Sequence, residues 1–286
     1  MPLQFVFWDT QHGSATYINT PNQLNFVQDL GTGSYSESEE EFSPLKHLKS
    51  RYNVDKLDWV IITHPHKDHI ADIEKFSQFS PSALLRPKHL SKDNIMEDVR
   101  EKDEDIFEEY FRIDNRYTSE ISSQDDPALP DNNGDVEVKT FCSRSCGESN
   151  INNHSYVTLW SYAGSKVMLP GDNESPSWNK LLEIEEFQDA IKDVDILLAP
   201  HHGRERGFHS ELFDYFEPKL TIVSDGRFGD TSATSRYSDV SKGWKVHRRN
   251  GKSEERYCVT TRNDGVISLK LGYTDSQKPY IQVKID

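Results

Sequence analysis

Three histidines and one aspartate occur within six consecutive residues, at His64, His66, Asp68 and His69. Imidazole nitrogens and carboxylate oxygens together are ligands that zinc, manganese and iron accept in proteins. His64 and His66 are two residues apart, so in an extended segment their side chains project to the same side. Asp68 and His69 follow one turn further on, so the spacing predicts two ligand pairs, each able to hold its own cation. Two neighbouring cations can clamp an attacking and a leaving oxygen.

The segments on either side indicate how this cluster is positioned. Residues Leu57–Ile62 are mostly apolar and include β-branched residues, which is typical of a buried strand. Residues Ile70–Phe76 carry apolar side chains at helical spacing. The cluster is therefore expected where a strand ends and a helix begins, which is where sites form in open α/β sheets.

Three later segments place similar residues next to predicted strands. His154 stands shortly before one strand, Asp172 follows a strand and a glycine turn, and His201 and His202 follow an apolar strand. Each segment alone is weak, because a glycine turn or a histidine beside a strand is common for structural reasons. Together they repeat the pattern of the first cluster and predict further metal ligands.

The motif order resembles the metallo-β-lactamase fold superfamily: HxHxDH, then a histidine, then Gly-Asp after a strand, then His-His-Gly. Four segments resemble its ComEC-like branch, the hydrolase domain attached to DNA-uptake channels: Phe7–Ala15, Asn153–Val157, Ala199–Gly203 and Pro218–Gly226. The resemblance covers most of residues 3–273 apart from an acidic helical stretch. Since the chain has no channel domain, we expect a stand-alone hydrolase. His12 and Ser14 depart from the branch, which has glutamine and an acid at these positions.

The resemblance implies a four-layer αββα sandwich of two mixed β-sheets flanked by helices. It also implies a single hydrolase domain over residues 1–286, and the acidic stretch around 91–118 is then a helical insertion at the mouth of the site. The strand and helix alternation agrees with this α/β class. The predicted strands are Leu3–Trp8, Ala15–Asn19, Leu57–Thr63, Val136–Phe141, Tyr156–Tyr162, Lys166–Leu169, Asp195–Ala199, Leu220–Val223, Tyr257–Thr261 and Val266–Leu271. The predicted helices are Ile70–Phe79, Asn94–Tyr117, Trp178–Ile191 and Ser210–Phe216. Loops are predicted at Gly31–Ser43 and Ser119–Gly134.

The resemblance also implies a ligand set for two divalent metal ions, zinc or manganese. One ion would be held by His64, His66 and His154. The second would be held by Asp68, His69 and His201, and Asp172 would bridge the two. His202 could replace His201 or orient a neighbouring ligand.

Composition limits the partners. Acidic residues number 48 and basic residues 33, for a net charge of -15, so broad non-specific binding of duplex DNA is not expected. Mean hydropathy is -0.76, and no apolar run is long enough to span a membrane. The N-terminus resembles a strand and not a signal peptide. Cys142, Cys146 and Cys258 are an odd number of cysteines, which favours free thiols and a cytoplasmic location.

The leading functional hypothesis is a dinuclear hydrolase that uses metal-bound water, with Asp68 and Asp172 as its catalytic carboxylates. By analogy with the branch, its substrate would bear phosphate: a phosphodiester in nucleic acid or a nucleotide. Arg204, Arg206 and Arg227 could pair with that phosphate or be ordinary surface residues. The alternatives are hydrolysis of lactone, thioester or amide bonds, or a metal-binding sensor without turnover. The sequence identifies no protein partner.

Overall fold

A computed structural model describes residues 1–33, 41–147, 149–226 and 232–286. Residues 34–40 of the predicted loop Gly31–Ser43 and the candidate Arg227 lie outside the described residues. The strands are β1 Leu3–Phe7, β2 Thr16–Asn19, β3 Asn25–Gln28, β4 Trp59–Ile61, β5 Ala83–Leu85, β6 Glu137–Phe141, β7 Val157–Tyr162, β8 Ser165–Leu169, β9 Ile196–Leu198, β10 Leu220–Val223, β11 Trp244–Arg248, β12 Ser253–Arg256, β13 Cys258–Thr260, β14 Ile267–Tyr273 and β15 Pro279–Ile285.

Short helices connect the strands. The α-helices are α1 Pro44–His47, α2 Lys67–Ile70, α3 Lys92–Met96, α4 Glu104–Asp114, α5 Pro130–Asn133, α6 Ser175–Leu181, α7 Glu185–Ile191, α8 Thr234–Asp239 and α9 Thr261–Asp264. A π-helical turn covers Leu48–Tyr52, and 3₁₀ segments cover Ile73–Phe79, Glu101–Asp103, Ile151–His154, His201–Gly203 and Ser210–Asp214.

The strands form two mixed sheets in the described part of the chain. The larger has the order β12-β11-β15-β14-β1-β2-β3-β4-β5, in which β3, β4 and β5 run parallel. The smaller has the order β13-β10-β9-β8-β7-β6, in which β8, β9, β10 and β13 run parallel. Parallel strands of one sheet end at the same edge, so each sheet collects several strand ends on one side.

Three apolar layers hold the two sheets and the helices together. Alternate residues of β1 show the division: Phe5 and Phe7 face the core between the sheets, while Val6 faces the outer layer of helices. The core between the sheets also receives Trp160 from the smaller sheet. The outer face of that smaller sheet packs on helices α6, α7 and α8 through residues such as Trp178. The predicted four-layer αββα sandwich is therefore confirmed.

Two predicted helices are each divided in two. The predicted helix Asn94–Tyr117 becomes α3 and α4, separated at Arg100, whose backbone is extended. The predicted helix Trp178–Ile191 becomes α6 and α7, separated at Ile184, which is also extended. Apolar spacing continues across both breaks, so periodicity alone did not reveal them.

Five strands were not predicted: β3, β5, β11, β12 and β15. Most of them are short or carry charged residues, and their pairing depends on neighbours that are distant in sequence. Within the described residues, no helix is long and apolar enough to cross a membrane. All three cysteines have free thiols.

Replacing Trp160 with alanine tests the core between the sheets. Its ring is fully buried and lies 6.0 Å from Phe5, 5.8 Å from Phe26 and 6.3 Å from Trp59, centroid to centroid. Trp160→Ala should lower the free energy of unfolding by about 3–5 kcal/mol. Urea unfolding followed by circular dichroism measures the change. Tyr273→Ala removes a half-exposed aromatic ring and should cost less than about 1 kcal/mol. Equal losses in the two variants would contradict this account of the core.

Candidate metal centre

The candidate metal centre lies where the parallel strands of both sheets end. Asp29 directly follows β3, and His64 follows β4. Asp172 and His202 follow β8 and β9 of the smaller sheet. The two edges are joined by a hydrogen bond from the Tyr156 amide to the Thr63 carbonyl at 3.0 Å. Residues that are far apart in sequence therefore meet in the gap between two sheet edges.

Four side chains form a compact cluster there: Asp68, His69, Asp172 and His202. One ligand atom of each lies within 4.8 Å of the others. Nε2 of His69 lies 3.2 Å from Oδ1 of Asp172. Nε2 of His202 lies 3.4 Å from Oδ2 of Asp68 and also 3.4 Å from Oδ2 of Asp172. All except Asp68 are buried.

The spacing within the cluster fits a shared cation. Nε2 of His69 and Nε2 of His202 are buried and make no hydrogen bond within the described structure, although carboxylate oxygens lie close to them. Ligand atoms about 2.0–2.1 Å from one tetrahedral ion lie about 3.3–3.4 Å from each other. Three observed separations, of 3.2–3.4 Å, match that spacing, and the four ligand atoms together lie within 4.8 Å of one another. The cluster is therefore a candidate metal-binding site.

The other nitrogen of each of these two imidazoles is held in place. Nδ1 of His69 lies 2.9 Å from Oδ2 of Asp29, and Nδ1 of His202 lies 3.0 Å from the Ser224 carbonyl. When Nδ1 donates its proton to these acceptors, the lone pair of Nε2 points to the cluster. Asp29 also accepts a hydrogen bond from the Thr63 amide at 2.8 Å, so its own position is fixed.

Sequence reasoning missed Asp29. The signal was an acidic residue directly after a strand, as at Asp172, but the strand that precedes Asp29 was not recognised. Asp29 adopts a left-handed backbone conformation with φ 60°, and its carboxylate contacts Thr63, just after β4, and His69 of α2.

Buried opposite charges set the protonation of the cluster. Burial alone would lower the pKa of His202, but Asp172 and Asp68 raise that pKa to about 10. Burial would likewise lower the pKa of His69, but Asp172 and Asp29 raise it well above its usual range. Burial opposes ionisation of Asp172, yet His202 and His69 hold its pKa well below the usual range. Without a cation the carboxylates are therefore ionised and both imidazoles are protonated, so a metal ion that binds here would displace a proton from His69 and from His202.

His64 and His66 form a second ligand pair beside the cluster. Nε2 of His64 lies 3.0 Å from Nδ1 of His66, and the rings of His64 and His69 are 4.1 Å apart, centroid to centroid. Burial is the main cause that lowers the pKa of His64 well below its usual range, and the neighbouring His69 and His66 add to it. A neutral imidazole is the form that binds a metal.

His154, which the resemblance implied as a ligand beside His64 and His66, has other partners in the described structure. Its Nδ1 lies 2.9 Å from Nε2 of His89, and its Nε2 lies 2.9 Å from the Gly147 carbonyl. Both ring nitrogens are therefore engaged outside the cluster. Its role as a ligand to the first metal stays a prediction.

The structure places His202, and not His201, in the four-residue cluster. Nδ1 of His201 lies 3.1 Å from Oε1 of Glu174, and its Nε2 is 4.0 Å from Oδ2 of Asp172. Successive left-handed residues cause this difference, because φ is 51° at His201, 53° at His202 and 72° at Gly203. Such conformations cost roughly 1–3 kcal/mol at non-glycine residues and are concentrated at functional sites.

Gly171 allows the close approach that places Asp172. Its φ is 60°, and a Cβ atom there would lie 2.8 Å from the side chains of both Thr63 and Ser155. The Asp172 amide also donates a hydrogen bond to Oγ of Ser155 at 3.1 Å. Only glycine fits at this crossing between the two sheets without displacing their strand ends.

Two clefts open on either side of Asp68. One has a volume of about 460 Å³ and is lined by residues of the first loop, including His12, and by Glu41. The other has a volume of about 340 Å³ and is lined by residues 94–107 of the acidic stretch. Arg204 and Arg206, the described candidates for phosphate contact, line neither cleft.

A family model described as metallo-beta-lactamase superfamily matches residues 9–138 of the chain. The chain is also 24% identical over 231 residues to ComE operon protein 3 of Bacillus subtilis (strain 168), covering 77% of this chain and 28% of that protein. The chain thus spans less than a third of the length of this relative. The predicted resemblance to the superfamily and to its ComEC-like branch is confirmed.

Solved structures are similar at low identity. An inferred metal-dependent hydrolase from Parabacteroides distasonis ATCC 8503 is 15% identical, with a TM-score of 0.44, over 84% of this chain and 88% of that chain. The short form of human tRNase Z is 12% identical, with a TM-score of 0.39, over 79% of this chain and 93% of that chain. CmlA, a diiron beta-hydroxylase from Streptomyces venezuelae, is 14% identical, with a TM-score of 0.42, over 78% of this chain and 45% of that chain.

Asp29→Asn tests the orienting contact to His69. The amide keeps the size of the side chain but replaces a charged acceptor for Nδ1, and such changes typically weaken metal affinity about 10–100-fold. Titration of chelator-treated protein with zinc, followed by calorimetry, measures the affinity. The exposed Asp55→Asn is the control and should leave the affinity unchanged. Equal affinities in wild type and Asp29→Asn would exclude this role.

Proposed function

We propose that this chain, which a metallo-beta-lactamase superfamily model matches over residues 9–138, is a dinuclear metal-dependent phosphodiesterase acting on nucleic acid or nucleotides. The observation that carries the proposal is the cluster of Asp68, His69, Asp172 and His202, in which two orphaned imidazole nitrogens face ionised carboxylates. His64 and His66 extend this cluster into a set large enough for a second ion.

Two divalent cations, zinc or manganese, would supply Lewis acidity and lower the pKa of a bound water toward neutrality. The ligand set of imidazole and carboxylate suits either ion. The chain's own residues would hold these ions and orient the reactants. Asp172 is central, because its Oδ1 lies near His69 and its Oδ2 near His202.

Asp68 has a different position from the other ligands. Its side chain is 39% exposed, whereas that of Asp172 is 6% exposed. It lines both clefts, so its carboxylate can accept a hydrogen bond from an attacking water as well as bind an ion. This position supports a water-orienting role for Asp68.

The proposed phosphate-bearing substrate is supported by two further features. Lys67 and Arg100 line both clefts next to Asp68, so cations stand at the entrance of a chain whose net charge is -15. The relative in Bacillus subtilis is a ComE operon protein, and the ComEC-like branch is the source of the nucleic-acid analogy.

Reporter hydrolysis tests the proposal directly. Wild-type protein reconstituted with manganese or zinc is assayed on bis-p-nitrophenyl phosphate and a short oligonucleotide, beside a lactone and a thioester. We expect turnover of the phosphodiesters in preference to the other two. Turnover of only the lactone or thioester would assign a different bond, and no turnover at about two metals per chain would favour a metal-binding sensor.

The pair His202→Ala and His201→Ala tests which histidine is a ligand. The two residues are adjacent, buried and left-handed in backbone conformation, so each is a matched control for the other. His202→Ala should lose about one metal per chain, because its Nε2 faces both carboxylates. His201→Ala should retain the metal content of wild type. Elemental analysis after reconstitution measures the content, and the reverse pattern would assign His201.

Asp68→Asn tests the water-orienting carboxylate. The substitution keeps the size of the side chain but removes the charge, and roles of this kind contribute about 10²- to 10⁴-fold. We expect the turnover number on phosphodiester to fall at least about a hundredfold at saturating manganese and substrate. Circular dichroism should be unchanged, since Asp68 lies on a short helix at the rim of the site. A loss below about threefold would make Asp68 a bystander.

A further inference from the structure

Lys67 and Arg100 converge on one carboxylate at the entrance of the site. Nζ of Lys67 lies 2.8 Å from Oδ1 of Asp103, and Nε of Arg100 lies 2.8 Å from Oδ2. The side chain of Asp103 is 6% exposed, while those of Lys67 and Arg100 are 42% and 64% exposed. A buried acid thus holds two solvent-facing cations side by side.

The acidic insertion supplies two of these three residues. Arg100 lies in the extended break that separates α3 from α4, with φ -77° and ψ 142°, and Asp103 follows in the next turn. Lys67 directly precedes Asp68 in α2. The break therefore brings a guanidinium from the insertion next to the metal-binding cluster, which a continuous helix over this stretch would not do.

The arrangement leaves positive charge uncompensated. Two cations share one carboxylate, so the three side chains carry a net charge of +1 on the side that faces solvent. Burial would raise the pKa of Asp103, but the hydrogen bonds from Lys67 and Arg100 lower it, so the acid stays ionised. An anion placed against the exposed nitrogens of Lys67 and Arg100 would complete the pairing, and arginine is well suited to bind phosphate.

The two clefts differ in how well they suit such an anion. The smaller cleft is also lined by Glu97 and Asp98, which repel phosphate. The larger cleft is lined by Lys67, Arg100 and His12, with Glu41 as its acidic residue apart from Asp68. Its volume of about 460 Å³ lies in the range of small-molecule sites.

We propose that Arg100, together with Lys67, binds a second phosphate of the substrate in the larger cleft, next to the phosphodiester that is cleaved. This inference rests on the proposed function, which it deepens. The site then selects substrates with a phosphate beyond the scissile bond, such as oligonucleotides or phosphorylated dinucleotides, over isolated diesters. Arg100 acts here as a specificity-determining residue.

The test compares three substrates in the metal-loaded protein: a dinucleotide without a terminal phosphate, and the same dinucleotide with a 5′- or a 3′-terminal phosphate. In wild type, KM should be at least about tenfold lower for one of the phosphorylated forms, as expected for a charge-assisted contact. In Arg100→Ala, this KM ratio should fall to about two or less. Arg112→Ala is the matched control, because Arg112 pairs with Glu109 on α4 and lines neither cleft. It should keep the wild-type ratio.

Arg100→Gln guards against a folding effect, since glutamine can still donate a hydrogen bond to Asp103. It should lose the KM ratio while metal content and circular dichroism stay as in wild type. A wild-type ratio near one, or a ratio retained in both Arg100 variants, would overturn the inference but leave the phosphodiesterase proposal in place. Failure of wild type to cleave any of the three dinucleotides would instead overturn the proposed function.

Discussion

The buried carboxylate of Asp172 between two imidazoles is the interaction on which the site depends. An ionised acid is costly to bury unless it is paired and hydrogen-bonded. Here His69 and His202 approach it from two sides, and Asp29 fixes the outer nitrogen of His69. The charges of His69 and His202 lower the pKa of Asp172, and the charge of Asp172 in turn raises the pKa of both histidines, so each group depends on the others. Removing one member would leave a buried charge without a partner.

The rest of the fold brings these charges together and prevents them from moving apart. The Tyr156 amide donates a hydrogen bond to the Thr63 carbonyl, which joins the two sheet edges. The Ser14 amide donates one to the Asp68 carbonyl, which holds α2 in place. Gly171 permits the contact at which the sheets cross. The left-handed residues before Gly203 are locally unfavourable, so the apolar layers must supply the stability that keeps them in place.

The acidic stretch around 91–118 packs on this framework through buried side chains such as Phe107 and Tyr110, and it also makes polar contacts at its two ends. Arg86 donates hydrogen bonds to the carbonyls of Asp114 and Tyr117 at the far end of α4. Asp103 binds Lys67 at the near end. The charged groups at the entrance are therefore held by contacts separate from those that hold the buried candidate cluster.

The sequence by itself determined the fold class and most strand positions, and it singled out Asp68, His69 and Asp172, which the fold brings together in one cluster. These features depend on local patterns: apolar alternation along strands, and chemically distinctive residues at strand ends. The choice between His201 and His202 could not be made from the sequence, because only the folded backbone conformation decides which of the two adjacent side chains faces the cluster. The contribution of Asp29 was hidden for a related reason, since β3 is recognisable only by its pairing with β2 and β4.

Tertiary structure alone decided where His154 points and where the acidic helical stretch breaks. The contact between His154 and His89 joins residues that are 65 positions apart. The break at Arg100 follows no glycine or proline, and it coincides with the convergence of two cations on Asp103. Such interactions depend on distances across the folded chain, which local propensity does not encode. The physical reason is the same in each case: buried charge and shape complementarity select one arrangement from several that the local sequence allows.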